Sequence, residues 1–239
     1  IQSDYVAAGA DILGTNTFRT TTWSYRKAGF SPKRAEERAK SSLMKAVELA
    51  RSANPKIMAG SITSIEDCYE PEFFPGRGAA EDTYGENVDW FKEAGVDLIL
   101  FETMGHLDEI DVAIQSVNEN KIWLSMIVKN GDHLLSGHPL ESVYELAKDK
   151  VDVLMLNCNT IDKTDRALAG IIDNWDGDWG VYPNLGLTEP EPDGEMKEKV
   201  DKQSFKNIIS RYIEMNPMVI GSCCGSTPKH TEMIYKLVN

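Results

Sequence analysis

The sequence predicts an α/β fold of the (β/α)8, TIM-barrel type, and three observations carry that expectation. Seven short apolar runs bounded by turn residues alternate with longer amphipathic stretches along 239 residues. The runs have no polar face, which is how the strands of a parallel sheet read when both faces are buried. They recur at roughly one βα unit per 30–35 residues, and a barrel of eight such units takes about 250. An open doubly wound sheet is the alternative, since right-handed crossovers serve both topologies. Its dinucleotide-binding form loses support because no Gly-x-Gly-x-x-Gly follows the first run.

The elements follow in order. Residues 10–16 (ADILGTN) form the first strand in view. Residues 33–53 read as a helix because Ser31 stands at its cap and Pro32 at its first position, where a missing N–H costs nothing. Residues 56–61 are the second strand, and a helix over 82–94 stops at Gly95, a residue suited to the left-handed turn at a helix end. The third strand, 96–102 (VDLILFE), closes on a carboxylate. Helix 107–118 leads to strand 121–128, helix 140–148 to strand 151–157, and helix 165–174 to a short strand over 180–184. Helix 204–215, strand 218–222 and a helix from 227 or 228 to 237 complete the chain, expected as one domain over 1–239. Residues 187–203 are acidic and Pro-bearing, as in a mobile surface loop, and 65–85 form a second long loop rich in Pro, Gly and aromatics.

Composition narrows the function classes. Lys and Arg number 25 against 38 Asp and Glu, a formal charge of −13, and the few basic residues are scattered. Nucleic-acid binding needs clustered cations, so no nucleic-acid partner is expected. No apolar stretch approaches the span of a bilayer, so no membrane partner is expected either. The first residues, IQSDYVAAGAD, lack the basic and apolar regions of a signal peptide, and the absence of an initiator Met predicts a start inside something longer. Cys68, Cys158, Cys223 and Cys224 are too sparse for a secreted disulfide framework, and the adjacent pair would strain the peptide between them. A reduced, cytoplasmic setting is expected. Oligomeric state stays open, a homo-oligomer included.

Barrel enzymes carry their chemistry at the carboxyl ends of the strands. The polar residues there are Thr15, Asn16, Thr17, Ser61, Glu102, Thr103, Asn157, Cys158, Asn159, Tyr182, Asn184, Ser222, Cys223 and Cys224. Cys158 ends the fifth strand in view and Cys223 with Cys224 ends the seventh. Three thiols on one rim suit a metal that prefers sulfur, zinc first, and three protein ligands on a tetrahedral ion leave one position open for substrate. Cysteines that merely pack as small hydrophobes are the alternative, and the residues alone leave both open. Glu102 is either a substrate-binding carboxylate or a structural acid. Thr15, Asn16, Asn157 and Asn184 either line the mouth or serve turns and caps. His230 is expected to cap the final helix, and His106, His133 and His138 stand in no motif. Trp23, Tyr25, Tyr69, Phe73 and Phe74 lie in loops that could cover the mouth, where aromatic rings would suit a positively charged donor.

Five segments resemble the homocysteine S-methyltransferase family, in family order and across nearly the whole chain. GSCCGSTPKH at 221–230 is similar to its closing GGCCGT(T/S)P-x-H signature, and LNCNT at 156–160 to its Gly-x-Asn-Cys segment, with Leu156 near a position often held by a small residue. GADILGTNTF at 9–18, GVDLILFETM at 95–104 and VYPNLG at 181–186 are similar to its TNTF, ET and PN-x-G strands. The resemblance implies a (β/α)8 barrel whose Cys158, Cys223 and Cys224 bind one Zn2+, with the thiol of homocysteine in the open position. It implies that Glu102 takes the α-ammonium of homocysteine, that Asn184 lines the mouth, and that a small methyl donor is the second partner. The VYPN form places sulfonium donors, S-methylmethionine or S-adenosylmethionine, ahead of betaine or a methylated corrinoid.

The family's Asp-Gly-Gly/Ala strand, which lies upstream of TNTF, has no counterpart here. Residues 1–8 resemble the end of the helix that follows it, so the first barrel strand is expected to be lacking, and beside strand 10–16 a gap is expected, or that place filled by something else. That departure keeps a non-catalytic zinc- or thiol-binding barrel as the rival reading.

Overall fold

A computed structural model describes residues 1–188 and 196–239. Its strands are β1 (Ile12–Gly14), β2 (Ile57–Ile62), β3 (Leu98–Met104), β4 (Lys121–Met126), β5 (Val153–Asn157), β6 (Asp178–Tyr182) and β7 (Val219–Ile220). They pair in sequence order, every neighbour parallel, in a curled seven-stranded sheet. The helices are α1 (Gln2–Ala7), α2 (Thr22–Lys27), α3 (Pro32–Ser52), α4 (Arg77–Ala94), α5 (Leu107–Gln115), α6 (Leu140–Ala147), α7 (Ile161–Asn174), α8 (Lys202–Glu214) and α9 (Pro228–Val238). Among the described residues no helix is long and apolar enough to cross a membrane.

Strand periodicity divides the apolar residues into two layers. One face of each strand packs under the helices: Leu13, Met58, Ile99, Phe101, Leu124, Leu154 and Val181 share a core with Leu43 and Val47 of α3 and Phe91 of α4. The other face fills the hollow of the curl, where Ala59, Leu98, Leu100, Trp123, Val153 and Met155 cluster. Ile12 of β1 and Val219 of β7 pack on that same inner cluster, so the sheet wraps round far enough for its two ends to share one interior. Burial of both faces explains why the strands read as unbroken apolar runs.

The ring of strands is open where the ring of helices is closed. β1 pairs with β2 and β7 with β6, and among the described residues no strand bridges β1 to β7. Outside that opening, α1 packs against α9. Gly9 (φ 99°) permits the contact, since a Cβ there would stand 2.4 Å from the ring of Tyr235. The gap expected beside the first strand in view is therefore present. The edge strands are correspondingly less covered: Gly14 is exposed and Val219 and Ile220 are half-buried, whereas β5 is buried throughout.

Helix starts differ most from the sequence reading. α4 begins at Arg77, five residues before the expected start, because its first turn is held by tertiary contact, with Arg77 bonded to Asp111 at 2.8 Å, not by a cap. The long loop expected over 65–85 thus ends at Gly76. α2 was not expected. Thr21 caps it by accepting the Ser24 N–H at 3.0 Å, which puts Trp23 and Tyr25 on a helix, not in a loop. Residues 189–195 of the expected acidic surface loop lie outside the described residues.

Candidate active site

Two loops bring the three cysteines together. Cys158 directly follows β5 in the left-handed region (φ 53°), a conformation that costs a non-glycine residue energy and needs surrounding bonds to hold it. Those bonds come from asparagines. Asn159 donates through Nδ2 to the carbonyls of Met126 (3.0 Å) and Asn157 (2.9 Å) and accepts the Val128 N–H at 2.8 Å. Asn184 donates to the Cys158 carbonyl at 2.8 Å and accepts the Cys224 N–H at 3.2 Å. It is 1% exposed and ties the β5 loop to the β7 loop. The Pro183 carbonyl adds a bond from the Cys223 N–H at 2.9 Å.

The sulfurs lie within 4.8 Å of one another, with Cys158 Sγ 2.6 Å from Cys223 Sγ and 3.7 Å from Cys224 Sγ. All are free thiols. In a tetrahedral site with bonds near 2.3 Å, sulfurs stand about 3.8 Å apart. The 158–224 pair already has that spacing, and the 158–223 pair would open by about 1 Å on binding. The donor set therefore fits a thiophilic ion. The thiols titrate as one unit. Cys224 is pushed down to about 3 because Cys158 and Cys223 donate to its sulfur. Cys158 is pushed well up by its bonds to Cys223 and Cys224 and by burial. At Cys223 the bond to Cys158 pulls down, but the bond to Cys224, burial and repulsion outweigh it and the thiol rises.

Beside the thiols, inward-facing polar side chains from five strands cross the hollow. Glu102 sits on a bulge, where pairing with β4 slips between Phe101 and Met104 and Thr103 takes φ 61°. Asn157 holds the bulge: its Oδ1 accepts the Thr103 N–H at 2.9 Å and the Ser125 hydroxyl at 2.7 Å, and its Nδ2 donates to Thr103 Oγ1 at 2.8 Å. The Glu102 carboxylate is gripped from both sides. Ser61 of β2 donates to Oε1, and Tyr182 of β6 donates to Oε2 at 3.3 Å. Burial raises the carboxyl above its ordinary range, and the negative charge of Cys224 adds to this against the two hydroxyl donors.

The candidates thus separate. Cys158, Cys223, Cys224 and Glu102 share one mouth, while Asn157 and Asn184 are spent on holding the loops that carry them. Thr15 is a bolt between β1 and β2, accepting the Ser61 N–H at 3.1 Å and meeting the Thr17 hydroxyl at 2.6 Å. Asn16 stands exposed just beyond β1. His230 caps α9, its Nδ1 accepting the Thr227 N–H at 3.1 Å, as the sequence reading expects. Ser61 and Tyr182 were visible only as strand-end polar residues; inward parity with Glu102 is the signal that singles them out. Tyr69, expected only as a loop aromatic, has a buried hydroxyl without a hydrogen-bond partner among the described residues. Burial, then charge on Cys158 and Cys224, pushes its phenol upward, so it lies within electrostatic reach of the thiols.

A family model described as homocysteine S-methyltransferase matches residues 1–238. The chain belongs to the homocysteine S-methyltransferase family. The family's relatives are methyltransferases, and the chain is assigned to that enzyme class. Homocysteine S-methyltransferase 2 of Zea mays is 26% identical over all of this chain and 79% of its own length. Selenocysteine methyltransferase of Astragalus bisulcatus is 24% identical, with 100% of this chain and 81% of that protein covered. Among solved structures, the metallated homocysteine methyltransferase MmuM of Escherichia coli superposes with a TM-score of 0.84 at 22% identity, over 99% of this chain and 82% of that one. The likeness to MmuM shows the barrel fold.

Proposed function

We propose that the chain moves a methyl group from a small sulfonium donor to the thiol of homocysteine, giving methionine, with Zn2+ held by Cys158, Cys223 and Cys224. The observation that carries this reading is the three-thiol cluster beside a gripped carboxylate in one mouth. Zinc, when bound, keeps a coordinated thiol deprotonated at neutral pH, where a free thiol with its pKa near 8.5 is mostly protonated. With the three cysteine sulfurs as its protein ligands, the ion would keep a place for the acceptor thiol.

The chain's own residues supply orientation. Glu102 receives the ammonium of homocysteine, and the Ser61 and Tyr182 hydroxyls keep its carboxylate from turning. Asn184 and Asn159 hold the cysteine loops in register. The thiolate sulfur then attacks the donor's methyl carbon. A new sulfur–carbon bond forms as the old one breaks, and its electron pair stays on the donor sulfur, which leaves as a neutral thioether. Fixing both partners in line supplies much of the acceleration in such a displacement. Tyr69 is an aromatic side chain within electrostatic reach of the thiols, which suits a methylated cation.

The test is a donor panel of S-methylmethionine, S-adenosylmethionine, betaine and methylcobalamin with homocysteine, read as methionine formed by zinc-loaded protein. A sulfonium donor should support turnover. Turnover with betaine or methylcobalamin alone would correct the donor, and homocysteine binding without turnover for any donor would favour a non-catalytic barrel.

A further inference from the structure

The segment from Tyr182 to Asn184 touches both halves of the site. Its first residue bonds to Glu102 Oε2 at 3.3 Å. Its second, Pro183, has a fixed φ and accepts the Cys223 N–H at 2.9 Å. Its third bonds to the Cys158 carbonyl and to the Cys224 N–H. Three consecutive residues thus hold the carboxylate at one end and all three thiol-bearing residues at the other. In extended backbone they span about 7 Å, the scale of a small amino acid stretched between ammonium and sulfur.

The bond from Tyr182 is not a by-product of strand pairing. β6 pairs with β5 and β7, whereas Glu102 lies on β3, paired with β2 and β4. The phenol therefore reaches across the hollow, past the inner apolar cluster on which its ring packs. Ser61 is different, since β2 lies directly beside β3. Among the described residues, Tyr182 is the one hydroxyl that fixes Glu102 relative to the β6 end, and the β6 end is what fixes the thiols.

We infer that Tyr182 is the positioning residue that sets the length of the thiol amino acid accepted, by holding Glu102 at a fixed distance from the cysteine cluster. Homocysteine then reaches both ends, and cysteine, one methylene shorter, reaches only one. The inference rests on the proposed role of Glu102 as the ammonium site. A methylene in a fitted site is worth about 10- to 200-fold in selectivity, so the effect is large enough to measure.

The experiment compares zinc-loaded wild type with Tyr182→Phe, using homocysteine and cysteine, by calorimetric binding and by steady-state kinetics. Phe keeps the ring and removes the phenol's bonds to Glu102 and Ser125. Zinc content should match wild type. The dissociation constant and KM for homocysteine should rise about tenfold, with kcat within about threefold, and the preference for homocysteine over cysteine should fall about tenfold or more. In Glu102→Gln, adding Tyr182→Phe should cost little further, because the two changes act through one contact. If Tyr182→Phe fails to fold, the binding preference of Glu102→Gln decides: a preference as strong as wild type's overturns the inference. Loss of zinc together with kcat, or an unchanged preference with weaker binding, would show a merely structural tyrosine. Wild type that binds homocysteine with selectivity but transfers no methyl group sinks the proposed reaction and leaves the positioning role to be judged on binding alone. Wild type that binds neither amino acid sinks both.

Discussion

At the residue scale, much of the polar chemistry of this mouth goes into holding backbone, and that division predicts distinct variant phenotypes. Asn184→Ala removes the bonds to the Cys158 carbonyl and the Cys224 N–H and touches no sulfur. It should weaken zinc about 10- to 100-fold in competition with a chromophoric chelator, the usual cost of losing a residue that orients metal ligands. Glu109 provides a pH signature away from the thiols. It is 2% exposed and accepts both the Ile65 N–H and the Tyr84 hydroxyl at 2.8 Å. Burial raises its carboxyl above the ordinary 4.5, against those two donors. A raised acid binds more protons folded than unfolded, so the protein loses stability as pH climbs from about 4.5 to the raised value. Glu109→Gln removes that loss while its amide oxygen can still accept. Urea titrations should show the variant gaining on wild type as pH rises above about 4.5, and a pH-independent difference would refute the assignment.

At the element scale, legibility followed the source of each element's stability. Strands β3 and β5 were plain because burial of both faces leaves unbroken apolar runs. The end of α4 was plain because Gly95 takes φ 70° and closes it. α2 was missed because it is six residues long, and the start of α4 because an ion pair to α5 holds it, which no local pattern records. The same limit governed the site. Motifs showed which thiols converge, but the grip of Ser61 and Tyr182 on Glu102 depends on which strands face one another across a curl. Close packing of strand on helix gives a direct test. Gly60 of β2 lies under α4, and a Cβ there would stand 2.8 Å from the Phe91 ring, which is fully buried. Gly60→Ala should destabilise the fold by about 1–3 kcal/mol in denaturant unfolding, the usual cost of overpacking a closed core. A change under about 0.5 kcal/mol would mean that the layer yields more than its burial suggests.

At the scale of the whole molecule, the cysteine cluster and the opening in the strand ring fall on the same side of the architecture. β7 is a two-residue edge strand, half-buried, and it immediately precedes the loop of Cys223 and Cys224. β5, which precedes Cys158, is buried throughout. An ion bridging the two loops would therefore fasten the least covered strand to the best covered part of the sheet, across 65 residues of sequence. Its effect on stability should be local as well as global. Any ligand bound only by the folded state stabilises by mass action, about 2.7 kcal/mol at one hundred times its dissociation constant. Local opening draws first on the segments with least burial. Zinc removal should therefore raise amide exchange most in β7, in the 221–227 loop and in α9, and least in β2 to β5. Hydrogen exchange read by mass spectrometry, with and without a zinc chelator, measures this directly. Uniform deprotection over the whole sheet would mean that β7 is already held by its packing on β6 and α9, and that the thiols serve the reaction without stapling the barrel.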